Sequence, residues 1–175
     1  MPAQSIPDRI VWAVATLNFE PSDEVLEIGC GHGFAVPLVC EKLRRGTLTA
    51  IDRSPKMIAA ARKRTRALVA TGKVEFETVA LADADFGRRR FSKIFAVNIN
   101  LFWIDPAAEL PVVKRLLRPG GTLYLFYQPP RAGQLKPIAA KLARNLAGGG
   151  LAVDQTIVGP KGCLCLIAHV GKEAA

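Results

Sequence analysis

One stretch constrains this chain more than any other: Val25-Leu26-Glu27-Ile28 runs straight into Gly29-Cys30-Gly31-His32-Gly33. A short apolar run of this kind reads as a buried strand. After the loop, Val36, Val39, Cys40 and Leu43 resume helical spacing before Gly46, so the segment reads strand, loop, helix. Glycine permits positive φ and removes the Cβ that would hold a ligand away from the backbone. Three glycines between a buried strand and a helix start therefore point to a backbone that approaches a ligand. A dinucleotide fingerprint, G-x-G-x-x-G, would need glycine at position 34, where Phe34 stands, and this weakens a nicotinamide reading.

The rest of the chain repeats the same alternation. Pro7 and Pro21 bracket a first helix with Ile10, Val11, Val14 and Leu17 at helical spacing and Trp12 on its flank. Beyond the glycine loop the expected strands are Thr47 to Ile51, Val74 to Val79, Lys93 to Ile99 and Thr122 to Tyr127. Between them fall helices over Met57 to Val69 and over Pro106 to Leu117, the latter stopped by Pro119-Gly120-Gly121. A helix through Leu135, Ile138, Leu142 and Leu146 ends in Gly148-Gly149-Gly150. Two final strands, Val153 to Val158 and Cys163 to Val170, flank the turn Gly159-Pro160-Lys161-Gly162 and should pair antiparallel. Alternation of this kind predicts an α/β fold with a parallel sheet covered on both faces and a ligand site at the carboxyl ends of its strands.

With 175 residues, half of them hydrophobic, the chain reads as a single domain with a substantial core, residues 1–175. Twenty-four Lys and Arg against fifteen Asp and Glu leave +9, which brings anionic partners into consideration. The cysteines, Cys30, Cys40, Cys163 and Cys165, form no C-x-x-C pair and read as reduced thiols, with no metal site. The N-terminus lacks the basic and apolar regions of a secretory signal, and no apolar run approaches the roughly 18 residues of a membrane span. A cytoplasmic protein without membrane contact is expected.

The pattern Glu27-x-Gly29-x-Gly31-x-Gly33 resembles the first motif of the class I S-adenosylmethionine-dependent methyltransferases. Ala50-Ile51-Asp52-Arg53-Ser54-Pro55-Lys56-Met57 is similar to that family's second segment, and Leu116-Leu117-Arg118-Pro119-Gly120-Gly121 to the turn before its fifth strand. The resemblance covers residues 24 to about 128, flanked by an N-terminal helix in 1–20 and a C-terminal helix and β-hairpin in 129–175. It implies a three-layer α-β-α sandwich, a Rossmann-like, mostly parallel seven-stranded sheet with an antiparallel last strand. It also implies S-adenosylmethionine as cofactor, released as S-adenosylhomocysteine. Glu27, Gly29, Cys30, Gly31 and Gly33 would then hold its amino-acid part, Asp52 its ribose and Met57 its adenine, with Arg53 next to Asp52 and Asn98 after the fourth strand as further cofactor contacts. Many relatives carry an acid after strand three, where Ala80 and Leu81 stand here, so backbone groups would replace that contact. Asp83 lies three residues late, and Ser92 stands where relatives often have Asp.

For the acceptor, Asn98-Ile99-Asn100-Leu101-Phe102-Trp103 offers amides and aromatic walls beside strand four, joined by Trp12 and Tyr127. His32, Asn100 and Tyr127 are the catalytic candidates; His32 reads first as a loop residue and second as a base. His169 reads as a strand residue. The basic runs Arg62-Lys63-Arg64-Thr65-Arg66 and Arg88-Arg89-Arg90 read first as solvated faces and second as nucleic-acid contacts. The expected partner is a small-molecule methyl acceptor. Nucleic acid ranks below it, and a catalytically silent homologue, suggested by Ala80 and Ser92, is a third reading.

Overall fold

The computed structural model describes residues 5–171. A first helix, α1 (Asp8–Thr16), leads to β1 (Glu24–Ile28), α2 (Val36–Lys42) and β2 (Thr47–Asp52). Then come α3 (Pro55–Arg64), α4 (Arg66–Ala70), β3 (Val74–Thr78) and β4 (Phe91–Val97). The second half holds α5 (Leu101–Ile104), α6 (Glu109–Leu116), β5 (Leu117–Tyr127), α7 (Leu135–Gly148), β6 (Leu151–Val158) and β7 (Leu164–Val170). The strands form one sheet in the order β3-β2-β1-β4-β5-β7-β6. Only β7 runs antiparallel, paired with β5 on one side and β6 on the other.

Alternating side chains divide the core in two. On β5, Leu123, Leu125 and Tyr127 face one layer with Leu110, Leu142 and Leu146 of α6 and α7, while Tyr124 and Phe126 face the other with Val14, Val36 and Val39 of α1 and α2. The parallel strands are buried on both faces, which is why they read as nearly continuous apolar runs.

The structure departs from the sequence-based elements at particular residues. The helix expected over Met57 to Val69 breaks at Thr65, whose buried hydroxyl donates to the Ala61 carbonyl at 2.9 Å and draws its backbone out of helical geometry. Strand four spans Phe91–Val97 rather than Lys93 to Ile99, because Asn98 turns into the left-handed region at φ +57°. The helix expected over Pro106 to Leu117 runs Glu109–Leu116, preceded by the unforeseen turn α5, and stops before Pro119. Arg118 to Gly121 instead form an irregularity in the long β5, where pairing jumps from Phe91–Leu117 to Lys93–Thr122.

At the amino end of the sheet lies a buried ion pair. Ser92, at the start of β4, donates to Asp23 at 2.6 Å, and Lys93 Nζ lies 2.6 Å from the other Asp23 oxygen. Burial pushes the Asp23 carboxyl up, but Lys93, Ser92 and the Glu20 N–H outweigh it and hold it below its ordinary value. Its stabilising effect is therefore present above the unfolded value and fades as pH falls through the lower folded one. Asp23→Ala would strand the Lys93 ammonium in the core, with an expected loss of about 3–5 kcal/mol by urea denaturation. A loss under 1 kcal/mol would show that Lys93 finds water instead.

His169 bonds Asp154 at 2.7 Å across the β6–β7 pair, near the amino end of β5 and away from the carboxyl ends. All four cysteines are free and buried. Among the described residues no helix is long and apolar enough to cross a membrane, and no group of His, Cys, Asp and Glu is placed to hold a metal.

Candidate active site

After β1 the chain goes outward to β2 and β3, and after β4 it goes the other way to β5. The loops leaving β1 and β4 thus separate and leave a crevice. A cavity of about 580 Å³ occupies it. Ile28 and Gly29 line it from β1, Asp52 and Arg53 from β2, Ala80 and Leu81 from beyond β3, and Asn98 and Ile99 from beyond β4. Asp105 and Glu109 close the far side. In a chain of charge +9 this cavity presents Asp52, Asp105 and Glu109 against Arg53, a lining that favours a cation.

The glycine loop is fastened to β2. Gly29 and Cys30 both donate their N–H to the Ile51 carbonyl, at 2.8 and 3.0 Å. The Asp52 carboxylate accepts from Gly31 N–H and Ser54 N–H, each at 2.9 Å, and so ties the loop to the start of α3. Gly29 sits at φ +69°, and a Cβ there would lie 2.2 Å from Ile99 Cδ1. Gly31, at φ +52°, instead faces open space with no atom within 4 Å of where a Cβ would stand. Only a residue without a side chain fits the first, and backbone is left accessible at the second.

Glu27 lies one residue before the cavity wall, buried, with its Oε2 lacking any hydrogen-bond partner. Burial, and then the charge of Asp52, push its carboxyl up to about 8. An orphaned buried carboxylate oxygen beside a glycine loop is the mark of a group awaiting a partner.

A second cavity of about 470 Å³ adjoins the first, sharing Asn98 and Asn100. Trp103, Tyr127, Pro129, Pro130, Pro137 and Ile138 give it an apolar wall, and Gln128 and Gln134 add amides. The Tyr127 hydroxyl donates to the Ile99 carbonyl, and burial pushes its ionisation up out of range, so it is not a free base. Its role is to pin the segment between the cavities. The Asn98 amide oxygen accepts from Gln128 N–H at 2.8 Å, and the Asn100 oxygen from Trp103 Nε1 at 3.2 Å.

Of the candidates read from sequence, Gly29, Asp52, Arg53, Ala80, Leu81, Asn98 and Asn100 line the first cavity, and Asn98, Asn100, Trp103 and Tyr127 the second. Glu27, Cys30, Gly31, Gly33, Met57 and His32 are not on either wall. Gly33 packs against Ala61, and Cys30 is buried. His32 is exposed beside Phe34, its carbonyl accepting from Arg64 at 3.0 Å. Trp12 packs edge-on against Phe126 at 5.5 Å and covers Gly159, and Phe102 is core; neither lines these cavities. Asp105 and Glu109 carry no signal of their own in the sequence, because it is the one-turn helix α5 that brings the chain back over the cavity.

A protein family described as a methyltransferase domain matches residues 25–121, more than half of the chain. The chain belongs to this family, and its fold is that of the class I methyltransferases. It is similar to the Bacillus subtilis (strain 168) protein YrhH, 24% identical over 155 residues, covering 89% of this chain and 82% of that one. It also resembles the ubiquinone biosynthesis O-methyltransferase of Xanthomonas campestris pv. campestris (strain B100), 30% identical over 149 residues, covering 82% of this chain but only 59% of that enzyme. Among solved structures, a SAM-dependent methyltransferase from Aquifex aeolicus superposes with a TM-score of 0.77 at 17% identity, covering 92% of this chain and 89% of that one.

Proposed function

We propose that the chain, as one methyltransferase domain, transfers a methyl group from S-adenosylmethionine to a small molecule. The observation that carries this reading is the pair of adjoining cavities at the switch point, one lined with acids and the other uncharged. The residues present fit the donor: an acidic cavity, an orphaned carboxylate oxygen and open backbone at Gly31 all suit a cation-bearing nucleoside.

When bound, S-adenosylmethionine supplies an electrophilic methyl: an acceptor lone pair forms the new bond to carbon while the C–S bond breaks and its pair returns to sulfur. Glu27 and the loop Gly29, Cys30, Gly31 and Gly33 would hold the amino-acid part. Asp52 and Arg53 would take the ribose hydroxyls, a carboxylate being an acceptor for both. Met57, Ala80 and Leu81 would bracket the base. Asn98 and Asn100, shared by the two cavities, would stand where donor and acceptor meet. No carboxylate or imidazole lines the second cavity, so the chain's contribution is alignment rather than proton removal, and the acceptor must bring an available lone pair.

A nucleic-acid acceptor is disfavoured by where the basic runs spend their charge. Arg62 donates to the Phe76 carbonyl and lies over that ring, Arg64 covers Phe34, and Arg89 pairs with Glu75. Ser92, one motive for a silent homologue, serves the Asp23 cluster at the far end of β4. The test is incorporation of labelled methyl from S-adenosylmethionine into a panel of phenols and carboxylic acids against total RNA. Transfer to a small molecule, little altered by salt, is the expected result. Label entering RNA with a steep fall in salt would replace this reading.

A further inference from the structure

The first cavity gathers the acids, and the second is surrounded by the opposite charge. From Leu110 to Val153 the chain contains no Asp or Glu, yet carries Lys114, Arg115, Arg118, Arg131, Lys136, Lys141 and Arg144. Two of these stand beside the second cavity. Arg131 falls between the lining residues Pro130 and Gly133, and Lys141, on the same face of α7 as Gln134, Pro137 and Ile138, has its Nζ 5.8 Å from the centre of the Trp103 ring, whereas Lys136 lies on the far side of that helix. Arg131 and Lys141 are exposed, and among the described residues neither makes an ion pair. The wall itself is different: aromatic, proline and aliphatic side chains with neutral amides.

We infer that the second cavity takes an amphipathic acceptor, an apolar ring or chain within the cavity and an anionic group, carboxylate or phosphate, held at the basic rim. This rests on reading that cavity as the acceptor site. An anion drawn fully into an apolar cavity with no cation on its wall would lose hydration without compensation. At the rim it keeps water and gains Arg131 and Lys141, while the apolar body displaces water from Trp103 and Tyr127. The two cavities then sort two opposite charges: acids attract the cationic donor, and the rim attracts the anionic acceptor with its reactive end toward Asn98 and Asn100. Such complementarity acts on capture and orientation more than on the chemical step.

A matched pair of fluorescent probes tests this directly: 1-anilinonaphthalene-8-sulfonate, which is anionic, and neutral N-phenyl-1-naphthylamine, with the same rings. Both are expected to bind one to one, the anionic probe at least tenfold more tightly at low salt. The double variant Arg131→Glu, Lys141→Glu should erase that preference while leaving the neutral probe's affinity and the calorimetric affinity for S-adenosylhomocysteine unchanged. Trp103→Ala should weaken both probes. Displacement of the anionic probe by dodecanoate or by dodecyl phosphate supports the inference and tells carboxylate from phosphate. Equal affinity for the two probes, a preference that survives charge reversal, or sedimentation with phosphatidylglycerol vesicles in place of saturable probe binding would overturn it. S-adenosylhomocysteine affinity is read separately, so loss of the donor site and failure of the acceptor inference are distinguishable.

Discussion

Glu27→Gln is expected to make the ligand-free protein more stable at pH 8 and to flatten its dependence on pH. The Glu27 carboxyl is pushed up to about 8, first by burial and then by Asp52, above its ordinary value of 4.5. Between those values the folded chain binds a proton that the unfolded chain has released, so stability falls as pH rises, by up to about 1.4 kcal/mol per unit. The group costs nothing below the unfolded value and most above the folded one. Asp23 acts in the other direction, but below its ordinary value of 3.8, outside this window. The nearby thiols Cys30 and Cys40 are themselves pushed up, Cys40 to about 11, and stay protonated throughout. Urea denaturation at pH 6 and pH 8 should therefore show wild type losing on the order of 2 kcal/mol and Glu27→Gln losing little. Parallel profiles would mean that Glu27 finds water or a partner in solution.

The second large effect is at Asp52. Asp52→Ala removes the acceptor for Gly31 N–H and Ser54 N–H and, in the proposed complex, for the ribose hydroxyls. Hydrogen bonds to a charged group are worth about 1.5–3 kcal/mol, so donor affinity should fall roughly 10- to 100-fold. The same substitution removes a charge that helps hold Glu27 up, and its titration should move toward lower pH. A drop in affinity without that movement would separate the ribose contact from the coupling of the two carboxylates.

Much of the fold is legible because local chemistry and tertiary context agree. The glycine loop needs positive φ at Gly29, Gly31 and Gly33, and no other residue type supplies it as cheaply. The buried strands announce themselves by unbroken apolar runs, and Ser54 with Pro55 marks the start of α3, the Ser54 hydroxyl accepting from Met57 N–H. The errors arise where distant residues decide. Thr65 breaks its helix through a hydroxyl whose burial is fixed by packing, and Ser92 is spoken for by Asp23, far away in the chain. Leu101 to Ile104 is too short and too uniformly apolar to display helical period, so the return of Asp105 and Glu109 to the cavity was hidden. Trp12, an acceptor-site candidate by sequence, is held instead against Phe126, a partner that lies far away in the chain.

The most direct measurement is calorimetric titration of the purified protein with S-adenosylhomocysteine, repeated with Asp52→Ala and with NADH as the competing dinucleotide. One-to-one binding that S-adenosylmethionine displaces, that weakens strongly in Asp52→Ala and that NADH does not affect is the expected result. Absence of binding, or binding left intact by Asp52→Ala, would contradict the placement of the methyl donor in the cavity between β1 and β4.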